Sequence, residues 1–466
     1  MATSKAETLD RFYETLELRP LIDPSGLAAF YYQEINDVRG DDNVARLAQE
    51  LRRAFGKRHF RAFLAGHSGC GKSTELSRLG SEVKSQFRVI RFSAKDEMHP
   101  SSAKPFDVLI LMMLRLGEEI AKPQAEGGLG WKPSASLSRK VLDWFATEEV
   151  SAKTSLDTNA SLAAGAGIDA DSLWAKALGL FGRLKGEVKF ASQREKKVID
   201  YRISRLPELI TLVNDFFDAC NDELKQRHQQ EWLFLGEDFE KLLDSSIPQT
   251  FFVKESQVFS SLRTHLIFTI PVDLAWAERG VTLPFDAYLI RDTPVYDKDN
   301  LPDRGRDALK ALLDKRINLE LFEAGQLDRL IVASGGHLRD LFLLIKEASD
   351  LALLATPPSL VIRRPDTTKS IAKLRQEVTL RLGESPYDPS PIPWAIRAEK
   401  LKKIHAQDAD AKVPDAALHS LLRARAVQEF NGVGRFAVAP LVVDIMIKQQ
   451  VLTVEAPGGL LSDSGQ

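Results

Sequence analysis

Cysteine is nearly absent from this sequence, since Cys70 and Cys220 are the only two in 466 residues. So small a number excludes a disulfide framework and a zinc site of the Cys₄ or Cys₂His₂ kind, and it is typical of a reducing compartment. A large charge of one sign is also lacking, because 63 Lys and Arg face 65 Asp and Glu, a net charge of −2. This balance argues against a protein that coats a polyanion and limits any nucleic-acid contact to a local patch.

Long hydrophobic runs are missing as well. The most apolar run, Val108 to Leu116, is much shorter than the roughly 20 residues that cross a bilayer. The first nineteen residues are charged and contain no apolar segment of the signal-peptide kind. We therefore expect a soluble, cytoplasmic protein. Its length and its 44% apolar content suggest two to four globular domains.

Five short apolar runs predict β-strands, at 60–65, 88–92, 232–235, 265–270 and 287–290. The second and third runs are separated by far more chain than one crossover helix needs. Helical patterns fill this interval at 104–121, 137–146, 172–189 and 209–224. We interpret 122–192 as an insertion into an α/β nucleotide-binding core with a parallel sheet, serving as a regulatory or partner surface. A loosely packed insertion is the alternative.

The rest of the chain predicts further units around a core at 39–300. Residues 1–38 suggest a helical N-terminal segment, 301–356 a helical lid, and 357–393 a proline-rich linker with a helix at 368–381. Residues 394–450 predict two helices (395–405 and 414–423), a hairpin at Asn431-Gly432 and a last helix at 441–449. This order suggests a winged helix, and we expect residues 451–466 to be a disordered tail.

One motif is matched in full: Gly66-His67-Ser68-Gly69-Cys70-Gly71-Lys72-Ser73 fits the phosphate-binding loop G-x-x-x-x-G-K-[ST]. It follows an apolar strand and precedes a helical stretch that begins at Thr74. Its glycines let backbone N–H groups turn towards phosphates, and the helix N-terminus adds partial positive charge. The sequence thus predicts that residues 66–74 bind ATP, with Lys72 on the β- and γ-phosphates and Ser73 on Mg²⁺. Cys70 suggests either a redox switch or, as we prefer, a small tolerated side chain.

Acidic residues follow the third predicted strand, in Gly236-Glu237-Asp238-Phe239-Glu240. The carboxyl ends of parallel strands deliver side chains to the ligand crevice. We expect Glu237 or Asp238 to hold Mg²⁺ through water, and the other acid, or Glu240, to orient the attacking water. The alternative interpretation is a solvated, acidic helix start.

Two further residues are candidates for sensing the nucleotide. Thr269, near the end of the fourth predicted strand, could position the water or detect the γ-phosphate, or it is an ordinary strand residue. Arg339 lies one turn into a helix after Gly335-Gly336 and could reach the phosphates from the lid. Otherwise Gly335 caps a helix and Arg339 lies on a solvated face.

Taken in this order, these elements resemble the AAA+/STAND group of P-loop ATPases, in particular its origin-recognition-like branch. The resemblance spans about 39–450 apart from the insertion. It implies that Lys72 and Ser73 form Walker A, that Glu237 and Asp238 form a variant Walker B, and that Thr269 is sensor 1. By the same resemblance, Arg339 would be sensor 2, and the segment 38–42 would lie near the adenine. No arginine finger can be assigned, and Arg263 and Arg291 are candidates by position alone.

The expected function is therefore an ATPase that binds ATP and Mg²⁺ and acts as a conformational switch. We expect a protein partner at the insertion or the winged helix, and homo-oligomers are a further option. The alternative is a DNA-binding initiator or loader, because residues 394–450 carry a net charge of +3. Few groups on the predicted helix 414–423 could read bases, which disfavours DNA. The stripe at 172–189 could lie on a bilayer surface, although core packing is the more common use of such a stripe.

Overall fold

The computed structural model describes residues 4–21, 30–40, 42–152, 170–190, 203–242, 244, 246–277, 283–296, 303–383, 391–430 and 435–453. No helix within these ranges is long and apolar enough to cross a membrane. Two predicted features, the turn at Asn431-Gly432 and the chain after 453, lie outside the described residues, as do 153–169 and 191–192 of the insertion.

The centre of the molecule is a five-stranded, entirely parallel sheet, which confirms the predicted α/β class. Its strands are β1 Arg61–Gly66, β2 Phe87–Ser93, β3 Glu231–Glu237, β4 His265–Ile270 and β5 Asp286–Ile290, in the order β2-β3-β4-β1-β5. All five lie where apolar runs predict them. Since every strand points the same way, the carboxyl ends of β1, β3 and β4 meet at one edge of the sheet.

In the described part of the chain, helices surround this sheet. Their bounds are α1 Phe12–Thr15, α2 Asn36–Arg39, α3 Asn43–Ala54, α4 Lys72–Val83, α5 Ala94–Glu97, α6 Pro105–Ala121, α7 Ala135–Ala152, α8 Ala170–Phe190, α9 Leu206–His228, α10 Ser246–Gln249, α11 Gln257–Ser260, α12 Val272–Ala277, α13 Asp303–Asp314, α14 Gln326–Ala333, α15 Leu338–Leu353, α16 Arg364–Arg381, α17 Trp394–His405, α18 Ala416–Arg423 and α19 Pro440–Lys448. A small antiparallel hairpin, β6 Val427–Phe430 and β7 Arg435–Val438, lies between α18 and α19.

The described part of the insertion is packed into the largest apolar core. Trp174 of α8 is only 1% exposed, and its ring lies 5.7 Å from that of Phe216 in α9. Gly117 of α6 leaves the room that this indole occupies, because a Cβ there would lie 3.2 Å from it. The hypothesis of a loosely packed insertion is therefore wrong for these residues. The apolar stripe of α8 faces this core rather than a bilayer.

A second apolar core joins the N-terminal segment, the helices α13–α16 and the C-terminal unit. Phe12 stacks with Phe322 at 6.2 Å between ring centroids, and Ala6 pairs with Ile317. The expectation of a helical segment at 1–38 is wrong for much of the described chain, where only short turns such as α1 and α2 occur. Its apolar side chains pack on residues 301–356, and an extended chain can make such contacts as well as a helix can.

The C-terminal unit has the predicted order of helix, helix, hairpin and helix. α18 begins at Ala416 rather than at Pro414, because the Asp415 carboxylate caps it by accepting a hydrogen bond from the Leu418 N–H. After α19, Val451 and Leu452 still pack against the second core, so the expected disorder does not begin at 451.

Candidate functional site

The phosphate-loop motif forms the connection between β1 and α4. Gly69 and Gly71 have φ angles of +96° and +109°, which only glycine adopts without strain. At Gly66, a Cβ would lie 2.6 Å from the Ile290 carbonyl oxygen of the neighbouring β5. The loop therefore needs these three glycines for its shape, and its shape places the N-terminus of α4 at the open edge of the sheet.

Lys72 is bound entirely within the protein. Its Nζ donates to the carbonyl oxygens of Gly66 (2.8 Å) and His67 (3.0 Å) and pairs with Glu240 Oε1 (2.7 Å). These three partners use all the hydrogens of the ammonium group. Burial lowers the pKa of Lys72 but Glu240 raises it, and the net pKa is above the ordinary value. Lys72 is thus a charged group at pH 7.

Glu237 and Asp238, the two other acids at the end of β3, are also paired with basic side chains of the same chain. Glu237 accepts a hydrogen bond from Arg91 Nε of β2 at 2.8 Å, and Asp238 pairs with Lys241 and accepts one from Ser93 Oγ at 2.8 Å. Burial raises the pKa of Glu237, although Arg91 opposes it. For Asp238 burial also raises the pKa, but Lys241 outweighs it and the net pKa is lowered.

Thr269 connects these acids to each other. Its hydroxyl accepts a hydrogen bond from the Asp238 N–H and donates one to Glu240 Oε2, both at 2.9 Å. Glu240 therefore joins Lys72 and Thr269 in one arrangement. The sequence suggests Glu240 as a water-orienting acid, but its ion pair with Lys72 is a contact that the sequence does not indicate.

Hard oxygen donors suited to Mg²⁺ lie at the same edge. The Ser73 hydroxyl hydrogen-bonds to Glu237, with Asp238 next to it. Mg²⁺ is usually held by one or two carboxylates together with phosphate oxygens and water. Among the described residues, no group of three or more His, Cys, Asp or Glu could hold a metal ion alone. The residues fit Mg²⁺ that arrives with a nucleotide.

The N-terminus of α15, within the segment predicted to be a lid, lies directly on the phosphate loop. Arg339 Nη1 donates to Ser68 Oγ at 3.3 Å, and a Cβ on Gly69 would lie 2.8 Å from Arg339 Cβ. His337 Nε2 donates to the Ser68 carbonyl oxygen at 2.9 Å, while its Nδ1 accepts from the Asp340 N–H and caps α15. Arg339 is thus at the loop and not on a solvated face. The sequence does not single out His337.

The C-terminal hairpin reaches the same loop through Asp292. Gln428 Nε2 of β6 donates to Asp292 Oδ2 at 3.0 Å and to the Gly335 carbonyl oxygen at 3.1 Å. Asp292 in turn lies 3.3 Å from His67 Nδ1. Burial raises the pKa of Asp292, but His337 and His67 lower it, with a net pKa far below the usual range.

A second connection runs through Arg425, just before β6. Arg425 contacts His337 Nδ1 at 2.7 Å and Asp340 Oδ1 at 3.2 Å. Burial and Arg425 lower the pKa of His337. Burial raises the pKa of Asp340, whereas His337 and Arg425 lower it to about 2. This arrangement favours a neutral His337 beside an ionised Asp340.

The N-terminal segment covers the opposite side of the site. The Leu21 N–H donates to Thr74 Oγ1 (3.2 Å), and Arg39 Nη2 donates to the Cys70 carbonyl oxygen (3.1 Å). Together with the loop and the lid it encloses a cleft of about 1180 Å³. Cys70 is fully buried, and burial raises the pKa of its thiol, which fits a small packed side chain better than a redox switch.

The two candidate arginine fingers are both paired elsewhere. Arg263 pairs with Asp215 and Asp218, before the start of β4 and so at the opposite end of the sheet from the loop. Arg291 pairs with Glu429 of β6 at 3.1 Å.

The helix that would read DNA is packed against the core. In α18 the residues Ala417, Leu418, Leu421 and Leu422 are buried. Arg423, at its end, pairs with Asp273 of α12 at 3.0 Å. The apolar face expected from the sequence is thus an internal contact.

Of the three comparisons with known proteins, the one with solved structures gives matches. No protein-family model matches the sequence, and no curated protein matches it. Among solved structures, the Walker-type ATPase PABY2304 of Pyrococcus abyssi is similar over 93% of this chain and 99% of its own length, with 13% identity and a TM-score of 0.38. The chain has a parallel α/β core in which a complete phosphate-loop motif joins β1 to α4.

Proposed function

We propose that this protein binds ATP and Mg²⁺ in the cleft, hydrolyses ATP, and works as an AAA+/STAND-like regulatory switch. One observation carries the proposal: Lys72, the acids after β3, Thr269 and Arg339 converge on one phosphate loop. They come from sequence positions nearly 270 residues apart, so a motif that matched by chance would not be expected to gather them.

Each side chain has a proposed role in the reaction. Backbone N–H groups of residues 66–74 bind the phosphates, and Lys72 moves from Glu240 and its carbonyl partners to the β- and γ-phosphates. Ser73 with Glu237 or Asp238 would hold Mg²⁺, which neutralises phosphate charge when bound. The remaining acid, or Glu240, holds and deprotonates the attacking water.

The switch itself follows from the contacts of the loop with the lid and the hairpin. His337 touches Ser68, and Asp292 joins His67 to Gln428, so a loop that adapts to phosphates alters both contacts. A change in these contacts shifts the position of the C-terminal unit, which we propose to be a winged helix. Its buried α18 supports a protein partner rather than DNA, bound at this unit or at the insertion.

The decisive experiment compares Lys72→Ala with wild type in ATP binding by calorimetry and in phosphate release. We expect K72A to lose at least tenfold in affinity and all turnover, since it removes the only side-chain charge inside the loop. Lys373, an exposed residue of α16 paired with Glu347, provides the control, and K373A should behave as wild type. Equal ATP binding by wild type and K72A would refute the proposal.

Two further measurements examine the mode of action. Size-exclusion profiles with and without ATP report whether the nucleotide changes shape or assembly. A DNA shift assay at several salt concentrations examines the alternative, because DNA affinity must fall steeply with salt. Salt-dependent, tight DNA binding would favour the initiator function over a protein partner.

A further inference from the structure

The cleft has two chemically different ends. Charged groups surround the phosphate loop at one end, as described above. The other end includes Tyr31 and Ile35 of the N-terminal segment and Leu312 and Phe342, together with the carboxylates of Glu14 and Glu17. Aromatic and aliphatic side chains of this kind line the parts of binding sites that hold flat, apolar ligand groups.

Arg316 lies beside the rings of Tyr31 and Phe342 and is 6% exposed. Its guanidinium carbon lies 5.3 Å from the ring centre of Tyr31 and 5.5 Å from that of Phe342. Nη1 donates to the Leu312 carbonyl oxygen at 2.8 Å. Within the part of the chain that the structure describes, no carboxylate pairs with this guanidinium.

Such a group is unusual because a buried charge is normally paired. Burial lowers the pKa of Arg316 to about 10, so the group still carries its charge at pH 7. A guanidinium has five N–H donors and a planar face that stacks on rings. The hydrogen bond to Leu312 uses one donor, and the side chain lines the cleft, where a ligand meets the other donors.

We propose that Arg316 recognises the nucleobase, donating hydrogen bonds to ring acceptors of a purine that lies against Tyr31 and Phe342. This inference rests on the proposed function, because it needs a nucleotide in the cleft. A base is a better match than a phosphate for two reasons. The loop already supplies the phosphate donors, and the neighbours of Arg316 are rings and aliphatic chains.

The test separates the base from the phosphates by using two ligands, ATP and inorganic tripolyphosphate, each with Mg²⁺. Calorimetry measures their affinities for wild type, Arg316→Gln and Arg316→Lys. We expect both variants to bind ATP about tenfold more weakly or worse, since neither keeps the planar fork, and to bind tripolyphosphate as wild type does. Unchanged tripolyphosphate affinity also shows that the loop is folded.

A matched control is Arg329, an equally buried lid arginine that donates to Thr367 and Thr368 and does not line the cleft. R329Q should leave both affinities unchanged. An equal loss of both ligands in the Arg316 variants would make Arg316 a phosphate ligand and overturn the inference. Unchanged ATP affinity in R316Q would overturn it as well. If wild type bound neither ligand, the proposed function itself would fail.

Discussion

Glu240 is the side chain that a nucleotide must displace from Lys72. The Lys72–Glu240 pair is almost fully buried, at 4% and 6% side-chain exposure, and Glu240 also accepts from Thr269. Lys72 and Thr269 are the two groups that we expect to contact the γ-phosphate. Glu240 therefore competes with ATP for them, and Glu240→Gln should tighten ATP binding.

The size of the effect follows from the bonds exchanged. A hydrogen bond to a charged group contributes about 1.5–3 kcal/mol, and the amide that replaces the carboxylate retains about 0.5–1.5 kcal/mol. In the variant, the interaction of residue 240 with Lys72 and Thr269 is then weaker by about 1–2 kcal/mol, which corresponds to about 5–30-fold tighter ATP binding. Calorimetry with a slowly hydrolysed ATP analogue measures it without interference from turnover.

The control removes the same charge from the same cleft without touching Lys72. Asp96 is exposed and lines the cleft, so D96N reports the general effect of one fewer negative charge. We expect D96N to change the affinity less than twofold. Weaker binding by E240Q would refute the reasoning. Equal tightening by both variants would attribute the effect to charge at a distance and not to the ion pair.

Two other predictions concern the lid and the insertion. His337 has a lowered pKa, so the unfolded state binds more protons below about pH 6.5 and stability should fall as the pH drops. His337→Asn should reduce this slope, measured as melting temperature between pH 7.5 and 5.5, and equal slopes would contradict the assignment of a neutral His337. Trp174→Ala should cost about 3–5 kcal/mol in denaturant unfolding, without a change in ATP affinity. A loss under about 1 kcal/mol would show that α8 is not part of the core.

The sheet could be predicted because its strands are buried on both faces. A parallel strand covered by helices on each side is a nearly continuous apolar run, as in β3 and β4. The phosphate-loop motif then identifies β1 by its position. Strand order, by contrast, is a property of packing between distant segments, and no local pattern determines it.

The N-terminal segment and the insertion were harder to interpret for the same reason. Phe12 and Trp174 are each fully buried, but their partners, Phe322 and Phe216, lie far along the chain. The local sequence around each aromatic does not indicate which distant ring it contacts. Their burial follows only from the tertiary structure.

At the candidate site, motif residues were predictable and their internal partners were not. A motif describes what binds the ligand, whereas the ion pair of Lys72 with Glu240 and the contact of His337 with Ser68 arise from folding. Arg316 gives no sequence signal at all. It is recognisable only as a buried arginine for which the described residues provide no carboxylate partner.

The near-balance of charge in the whole chain also holds for the cations and acids at the end of β3. Three cations of the cleft are each paired with one acid at the end of β3: Lys72 with Glu240, Arg91 with Glu237, and Lys241 with Asp238. Under the proposed function, ATP binding is an exchange of partners in which the phosphates take Lys72 and release Glu240. Because Glu240 also holds Thr269, the exchange alters the end of β4 as well as the loop. ATP, whose γ-phosphate contacts both Lys72 and Thr269, shifts this exchange further than ADP does. A nucleotide switch requires such a difference between ATP and ADP.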